Sequence, residues 1–589
     1  MNSNGDLTPA PQEPASPDPT VASIQVASTW WSPYRPFLIP AAALVVAGAI
    51  AAGALLLVLK PAASIEKMVP ATVDVAAIAS LDPSASQKLN LLRAIHRFPD
   101  TSTDQKLSQQ LDNLLKDTGI SFAGDVQPWL GAQIGLTVSV PASGSDAPAA
   151  FLAVSRDDAK ARAMLAKLRA GSQAKKYTWR DTSYGGVTIT VGSPVAGAAT
   201  PSATPKAGAV KPLATPKAGA YGIVDHVVVI ASSEALIHDI IDADAGRAAR
   251  LVDSNDYKAT LSKLPSDRLA MVYVNGKSIV SHLKDQLTTP LVAGLAGIKG
   301  LGDAEAFQGA ALALTARPEG IVTEMTVRLD PGKLSPSTRE ALTNPGNPKA
   351  VIGWIPSSSD GFLAFASLNR TIQSGLDQLG SDPSIKQATD SVGLTGPQGI
   401  LPYLTGDFAL EAQLNQSSFP SGAIIIGTND ANRMRTFLGG IVGMATQGQG
   451  SQARPQTSTY RSVTITTVAI PGISLNQFLP TFAVLDGMGL LASNPGELKA
   501  IIDAHKDRKA ITADPSYASA ARASLPDPSG VFYIDLGKIL KAIQAAPAGS
   551  AVGGLHLKTD KNLAPLTGFM VTSASKADAL VERFVVLVK

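Results

Sequence analysis

Past Lys67 the apolar residues fall into two rhythms. Alternation of period two marks strands, and spacing at i, i+3, i+4 and i+7 marks helices. A strand is predicted at Val73–Ser80, running into an Asp82-Pro83 turn, after which Leu107, Leu111, Leu114 and Leu115 sit at helical spacing. A hairpin follows, Ile134–Val140 with Ala149–Ser155. Asp157 then offers a short side-chain acceptor to the free N–H groups of a helix start. A strand pair, a helix at Ser233–Asp242 and a strand at Leu269–Asn275 come next, and a hairpin of Phe307–Ala316 with Ile321–Leu329 closes the series. The same series then returns: Phe362–Ser367, Phe408–Leu414 with Ala423–Gly427, a cap at Asn429-Asp430, a helix at Pro495–Ala504, a strand at Gly530–Asp535, and Thr567–Ser573 with Ala579–Val588.

Residue matches follow the pattern in the same order, which is the mark of an internal duplication. Met68-Val69-Pro70, Asp74 and Ala79-Ser80-Leu81-Asp82 return as Trp354-Ile355-Pro356, Asp360 and Ala366-Ser367-Leu368-Asn369. Pro128-Trp129-Leu130-Gly131 returns as Pro402-Tyr403-Leu404 with Gly406. Tyr184 with Val187-Thr188-Ile189-Thr190 returns as Tyr460 with Val463-Thr464-Ile465-Thr466. Asp225, Ala231-Ser232 and Glu234 answer Asp486, Ala492-Ser493 and Glu497, and Ile240-Ile241-Asp242 answers Ile501-Ile502-Asp503. Tyr257, Leu264-Pro265 and Val272-Tyr273-Val274-Asn275 answer Tyr517, Leu525-Pro526 and Phe532-Tyr533-Ile534-Asp535, with Lys277 against Lys538. Residues 193–220, rich in Pro, Ala and Thr, repeat Ala-Thr-Pro-Lys-Ala-Gly-Ala and read as an extended, exposed loop. The short Pro471–Phe478 stretch takes that loop's place in the second half. Strands joined by short turns predict antiparallel sheets. The expected fold class is α+β: two duplicated lobes, 67–335 and 350–589, each an antiparallel sheet with helices packed on one face.

Ahead of the duplication the pattern changes. Residues 1–36 are rich in Pro, Ser, Ala and Thr and are expected to be disordered. Residues 37–59 hold 23 positions without a charge, between Arg35 and Lys60 and behind Trp30, Trp31 and Tyr34. As a helix this run would be roughly 34 Å long, enough to cross a bilayer, so a single N-terminal transmembrane helix is expected, with the lipid bilayer as its partner. Flanking charge, with Arg35 before and Lys60 and Lys67 after, is almost balanced. No other helix-length apolar run follows, and the chain has no cysteine, which suits an oxidising compartment. The expected layout is a membrane protein with a short cytoplasmic tail and a large extracytoplasmic C-terminal region.

Composition removes several chemistries. Zero cysteine excludes disulfides, thiolate metal sites and cysteine nucleophiles. Lys+Arg of 50 against Asp+Glu of 47 gives +3, without the basic face a nucleic-acid binder needs. His96, His226, His238, His282, His505 and His556 show no metal-ligand spacing. No Gly-x-Ser-x-Gly elbow occurs, and Ser64/Lys67, Ser281/Lys284 and Ser573/Lys576 lack the companions of a serine acylase. Gly276-Lys277-Ser278 has Met271 where a phosphate loop needs its first glycine. Paired acids can do acid–base work, but Asp74/Asp360 and Asp225/Asp486 read as turn and cap residues. Trp129 and Tyr403 read as packing anchors, and Tyr273 and Tyr533 as core residues with a polar tip. No catalytic, cofactor-binding or metal residue is assigned.

Pro70-Ala71-Thr72-Val73-Asp74, Arg97-Phe98-Pro99, Leu114-Leu115, Gly119 before Phe122, and above all Asp125-Val126-Gln127-Pro128-Trp129-Leu130-Gly131 resemble a bacterial family of membrane-anchored proteins known as domain of unknown function 3352. The resemblance spans roughly Lys67 to Lys589 and implies an anchor with a large domain, but no activity. The sequence therefore favours a non-enzymatic, membrane-anchored extracytoplasmic protein that binds a partner or an envelope component. The alternatives are a carrier for an apolar ligand such as lipid, and a hydrolase with an unrecognised site.

Overall fold

The computed structural model describes residues 64–99, 119–140, 147–171, 177–195, 219–286, 305–379, 383–414, 420–447, 454–469, 478–545 and 563–589, with positions 112 and 115. The first half contains β1 (Val75–Ser80), α1 (Ala85–Ile95), β2 (Leu130–Val138), β3 (Ala149–Ser155), α2 (Asp158–Ala170), β4 (Tyr177–Tyr184), β5 (Val187–Pro194), β6 (Gly219–Val224), β7 (Val227–Ala231), α3 (Glu234–Asp244), α4 (Asn255–Leu261), β8 (Ala270–Asn275), α5 (Gly276–Gln286), β9 (Phe307–Arg317) and β10 (Gly320–Leu329). Helices α6 (Pro336–Thr343) and α7 (Lys349–Ile352) connect the halves. The second half contains β11 (Gly361–Phe365), α8 (Leu368–Leu379), α9 (Pro383–Ser391), β12 (Leu404–Gln413), β13 (Ser421–Thr428), α10 (Ala431–Gln447), β14 (Arg454–Tyr460), β15 (Val463–Ala469), β16 (Thr481–Leu485), β17 (Met488–Ala492), α11 (Pro495–Asp507), α12 (Pro515–Ala523), β18 (Gly530–Ile534), α13 (Leu536–Ala545), β19 (Leu566–Lys576) and β20 (Ala579–Val588).

Local sequence explains many of the boundaries. Asp157 accepts the Lys160 N–H at 3.1 Å and starts α2; Asp430 accepts the Arg433 N–H at 3.0 Å and starts α10. Asp225-His226 and Asp486-Gly487 both have positive φ at the two central positions of a two-residue hairpin, which is a type I′ turn. The β14–β15 turn carries positive φ on Arg461 and Ser462, and ion pairs from Arg461 to Asp503 (2.8 Å) and Asp507 (2.7 Å) hold it there.

The twenty described strands form one antiparallel sheet. The pairings run β4-β5-β6-β7-β3-β2-β1-β8-β9-β10 across the first half. From the far edge inward the second half runs β14-β15-β16-β17-β13-β12-β11-β18-β19-β20, the same order in its equivalents. The halves meet where β10 pairs with β20. Each of these strands follows a two-residue turn, and four residues on from their starts at Gly320 and Ala579 stand Glu324 and Arg583. The register places those two opposite each other, so a local two-fold axis passes between them.

Both faces of the sheet carry helices. On the first face α3 and α4 cover Ala76, Met271 and Ala313, while α11 and α12 cover Ala409, Tyr533, Met570 and Val585. On the second face α1 contributes Leu91, α2 contributes Met164 and Leu165, and α10 contributes Phe437 and Leu438. The expected fold class is thus corrected in three respects. The two lobes are a single continuous sheet, because the last hairpins of the two halves pair with each other. Helices lie on both faces, because strands such as β1 bear apolar residues on both sides: Ala76 and Ile78 in one core, Ala77 and Ala79 in another. No helix among the described residues is long and apolar enough to cross a membrane. The longest of them, α10, has 17 residues and carries Arg433 and Arg435. The tail 1–36 and the apolar run 37–59 lie outside the described residues, as do most of the leucines predicted helical after Arg97 and all but the ends of loop 193–220.

Arg583 and Glu324 form the ion pair at the axis: Arg583 Nε donates to Glu324 Oε2 at 2.7 Å and Nη2 stands 2.6 Å from it, with side chains 12% and 7% exposed. Arg583 Nη1 also donates to the Ser524 carbonyl at 2.6 Å, at the end of α12. Removing one member leaves a buried charge alone, which costs about 3–5 kcal/mol. Arg583→Met is therefore expected to lower stability in urea unfolding by about that amount, and adding Glu324→Met is expected to recover much of it.

Candidate functional site

The duplication supplies an internal control, since any feature of one half can be compared with its equivalent. Asp74 and Asp360 behave alike. Asp74 Oδ2 accepts the Val140 N–H at 2.5 Å and Asp360 Oδ2 accepts the Leu414 N–H at 2.6 Å, tying down the ends of β2 and β12. Tyr257 meets Tyr273 edge-on at 5.0 Å, and Tyr517 meets Tyr533 at 5.3 Å. The Tyr184 hydroxyl donates to Asp242 at 2.9 Å and the Tyr460 hydroxyl to Asp503 at 2.8 Å. Features present in both halves hold the shared fold together.

Three residues before Val140 and Leu414 the halves diverge. The equivalent of Thr137 in β2 is Glu411 in β12. A second difference stands beside it. Ser233 caps α3 by accepting the Leu236 N–H, and Asn494 caps α11 by accepting the Glu497 N–H, so Leu236 is the equivalent of Glu497. The sequence match of Glu234 with Glu497 is therefore two residues out of register. Glu234 opens its helix near the surface, where Thr182 and Arg180 engage it.

Glu411 and Glu497 are 1% and 5% exposed. The Ser359 hydroxyl donates to Glu411 Oε2 at 2.9 Å and the Ser421 hydroxyl to Glu497 Oε2 at 2.8 Å. Among the described residues the other oxygen of each carboxyl has no hydrogen-bond partner, and the charge of Glu497 acts on Glu411. Two buried carboxyls that sense each other's charge favour one of them staying protonated. Burial, reinforced by the charge of Glu497, pushes the Glu411 carboxyl up to about 9. Nearby, burial also raises Asp360, against the lowering effect of the Leu414 N–H and Lys538. Lys538 itself is held by Asp514 at 3.0 Å and by the Ser357 carbonyl at 2.7 Å. The acid pair is enclosed by β11, β12, β13 and α11, so what it can do is hold one proton and clamp α11 to the sheet.

Opposite the acid pair, on the second face, the same strand exposes Leu410 at 46%. Leu410 is one end of a cross-strand row: Leu410 opposite Leu363, Leu363 opposite Phe532, Phe532 opposite Val571, Val571 opposite Phe584. Leu363 is 37% exposed, and Phe532, Val571 and Phe584 are half-buried. A neighbouring row continues from Ile534 through Phe569 to Val586, and Phe532 and Phe569 meet edge-on at 6.3 Å. In the first half the equivalents of Leu363 and Phe532 are Ala77 and Val272, both buried with Leu91 of α1. Helix α1 lies against β9 and β10, whereas its equivalent α8 lies against β12 and α6. Among the described residues the second half thus exposes Leu363 and Leu410 on an apolar, aromatic sheet face, with α6 and α13 lying against its β19.

The residues singled out from sequence are spread through the fold. Asp225 and Asp486 are turn residues, with Asp486 3.0 Å from His505. His505 stacks on Trp354 at 3.5 Å, His238 stacks on Tyr184 at 3.9 Å, and His226 Nδ1 is 2.8 Å from Asp158. No group of three metal-ligating side chains occurs among the described residues. Trp129 is buried in the cluster under α2, with its indole N–H unpartnered, and Tyr403 lies under the Arg433 guanidinium at 4.6 Å. Lys277 pairs with Asp256 at 2.8 Å. Glu411 and the exposed leucines were not singled out from sequence; the signal available was an acidic residue inside an apolar strand.

A family model described as a protein of unknown function (DUF3352) matches residues 38–438 and 415–581, and the chain belongs to that family. No curated protein matches the sequence. Among solved structures, crystal form III of TP0453 is similar over 48% of this chain and 87% of that one, at 11% identity and a TM-score of 0.22. Crystal form I is similar over 46% and 79%, at 10% identity and a TM-score of 0.21. Likeness at that level carries no inference about role.

The acid pair fixes a pH dependence. Glu411 titrates at about 9 in the fold against an ordinary 4.5, so between these values the folded chain holds a proton that the unfolded chain releases. Stability contributed by that proton is present at low pH and is lost as pH rises toward 9. In urea unfolding across this window, Glu411→Gln is expected to flatten the decline and to be the more stable form at the alkaline end.

Proposed function

We propose that this protein is a non-enzymatic, extracytoplasmic binding protein and that its ligand is apolar, a long alkyl chain laid along the open sheet face of the second half. The carrying observation is the row from Leu410 to Phe584. It crosses five neighbouring strands, about 19 Å at roughly 4.8 Å per strand. Exposed apolar patches of this kind mark interaction sites, and in the first half the equivalents of Leu363 and Phe532 are buried with Leu91 of α1. The cysteine-free composition suits an oxidising compartment.

Two observations weigh against a hydrolase. The acid pair with the strongly raised Glu411 carboxyl is sealed from solvent. The acids preserved between the halves accept from backbone N–H groups (Asp74, Asp360), sit in turns (Asp225, Asp486) or accept from tyrosine hydroxyls (Asp242, Asp503). Native mass spectrometry of the protein with dodecanol tests the reading directly. A bound alkyl chain is expected with the natural sequence, and Leu363→Asp with Leu410→Asp is expected to weaken binding about tenfold or more. Both side chains are exposed, so the fold tolerates the change. An absence of bound dodecanol at every concentration would refute the reading.

A further inference from the structure

On this face the strands β11, β18, β19 and β20 carry one charged residue, Glu582, which stands beside the polar Ser573. On β20, Leu580, Glu582, Phe584 and Val586 alternate with Val581, Arg583 and Val585, and the latter set includes first-face core residues. Glu582 therefore points to the second face, two residues from Phe584 at the end of the row. Its cross-strand neighbours are Met325 on β10 and Ser573 on β19, neither of them charged. Among the described residues no ion pair or hydrogen bond reaches its carboxyl, and burial is what raises it. At the equivalent position the first half has Thr323, also two residues on from where its neighbour Ile321 faces Val586. A half-buried carboxylate without a counter-charge is costly, and an alkyl ligand lying on Phe584 would bring its head group within reach of it.

We propose that Glu582 selects the head group of the ligand, and that the face takes an amphiphile with a cationic, hydrogen-bond-donating end such as a primary ammonium. This rests on the reading of the open face as an alkyl-chain site. An ammonium supplies the missing counter-charge and a charge-assisted hydrogen bond. An anionic head, as on a fatty acid, meets a like charge and is disfavoured.

Three probes of equal chain length separate the tail from the head: dodecylamine, dodecanol and dodecanoate, each titrated at neutral pH into the whole protein. Dodecylamine is expected to bind about tenfold tighter than dodecanol, with dodecanoate weakest. Glu582→Gln is expected to bring dodecylamine to the level of dodecanol while leaving dodecanol within about twofold. Glu582→Lys is expected to reverse the order in favour of dodecanoate. Equal binding of all three probes to the natural protein, or an ammonium preference that survives Glu582→Gln, would overturn the assignment of Glu582 and leave the alkyl-chain site standing. Failure of all three probes to bind would overturn the alkyl-chain site itself.

Discussion

The structure depends on one antiparallel pairing, β10 against β20, and on the buried ion pair at its centre. Strand pairing between equivalent elements is how two identical subunits share a sheet, and it places a residue opposite its own copy at the axis. Identical residues there could not be oppositely charged. In a single chain with a duplicated unit the two axial positions vary independently, and here they are Glu324 and Arg583. The pair is matched in charge, nearly closed to solvent, and anchored to the end of α12 through the Ser524 carbonyl. A one-residue slip would turn each of these side chains to the wrong face, so the pair also specifies register.

Fusion into one chain also frees the halves to diverge. Where they agree, as at Asp74 and Asp360 or in the tyrosine pairs, the residues serve the shared fold. Where they differ, the second half departs from ordinary strand logic. In β12 a carboxyl points inward and a leucine outward: Glu411 is buried, and Leu410 beside it is exposed. The inward acid is tolerated because Glu497 and Ser359 meet it and a proton is kept. The outward leucine is exposed because α8 lies on β12 and α6 and not over the strands that α1 covers in the other half. Both departures fall in one strand, and departures from local rules concentrate at functional sites.

Much of the fold was legible in the sequence. The strands Ala149–Ser155 and Ala579–Val588, the two Asp-led hairpin turns, and the caps at Asp157 and Asp430 all correspond to structure. Joining the halves into one sheet was not legible, because alternation along β10 and β20 is the same whether a strand is an edge or a neighbour. The covering of both faces was missed for a related reason. Short residues such as Ala77 and Ala79 carry little amphipathic signal, yet lie under α1. The candidate face was hidden most deeply. Period two says that Phe408 and Leu410 share one side and Ala409 and Glu411 the other, but not which side a helix from elsewhere in the chain will cover. The apolar run 37–59, the clearest signal in the sequence, lies outside the described residues and says nothing about this face.

Two equivalent halves are sealed into one sheet through β10 and β20. The absence of cysteine makes it directly testable by an engineered pair. Ile321 and Val586 stand opposite each other in the register, whereas Ile321 and Phe584 are diagonal. Directly opposed residues of an antiparallel pair bring Cα atoms to about 4.5–5.5 Å, within disulfide range, and diagonal ones lie at about 7–8 Å, beyond it. Mild oxidation of Ile321→Cys/Val586→Cys is predicted to give an intramolecular disulfide, and Ile321→Cys/Phe584→Cys is predicted to give none. Failure of the opposed pair to close, or equal closure of both pairs, would mean that β10 and β20 do not pair in this register.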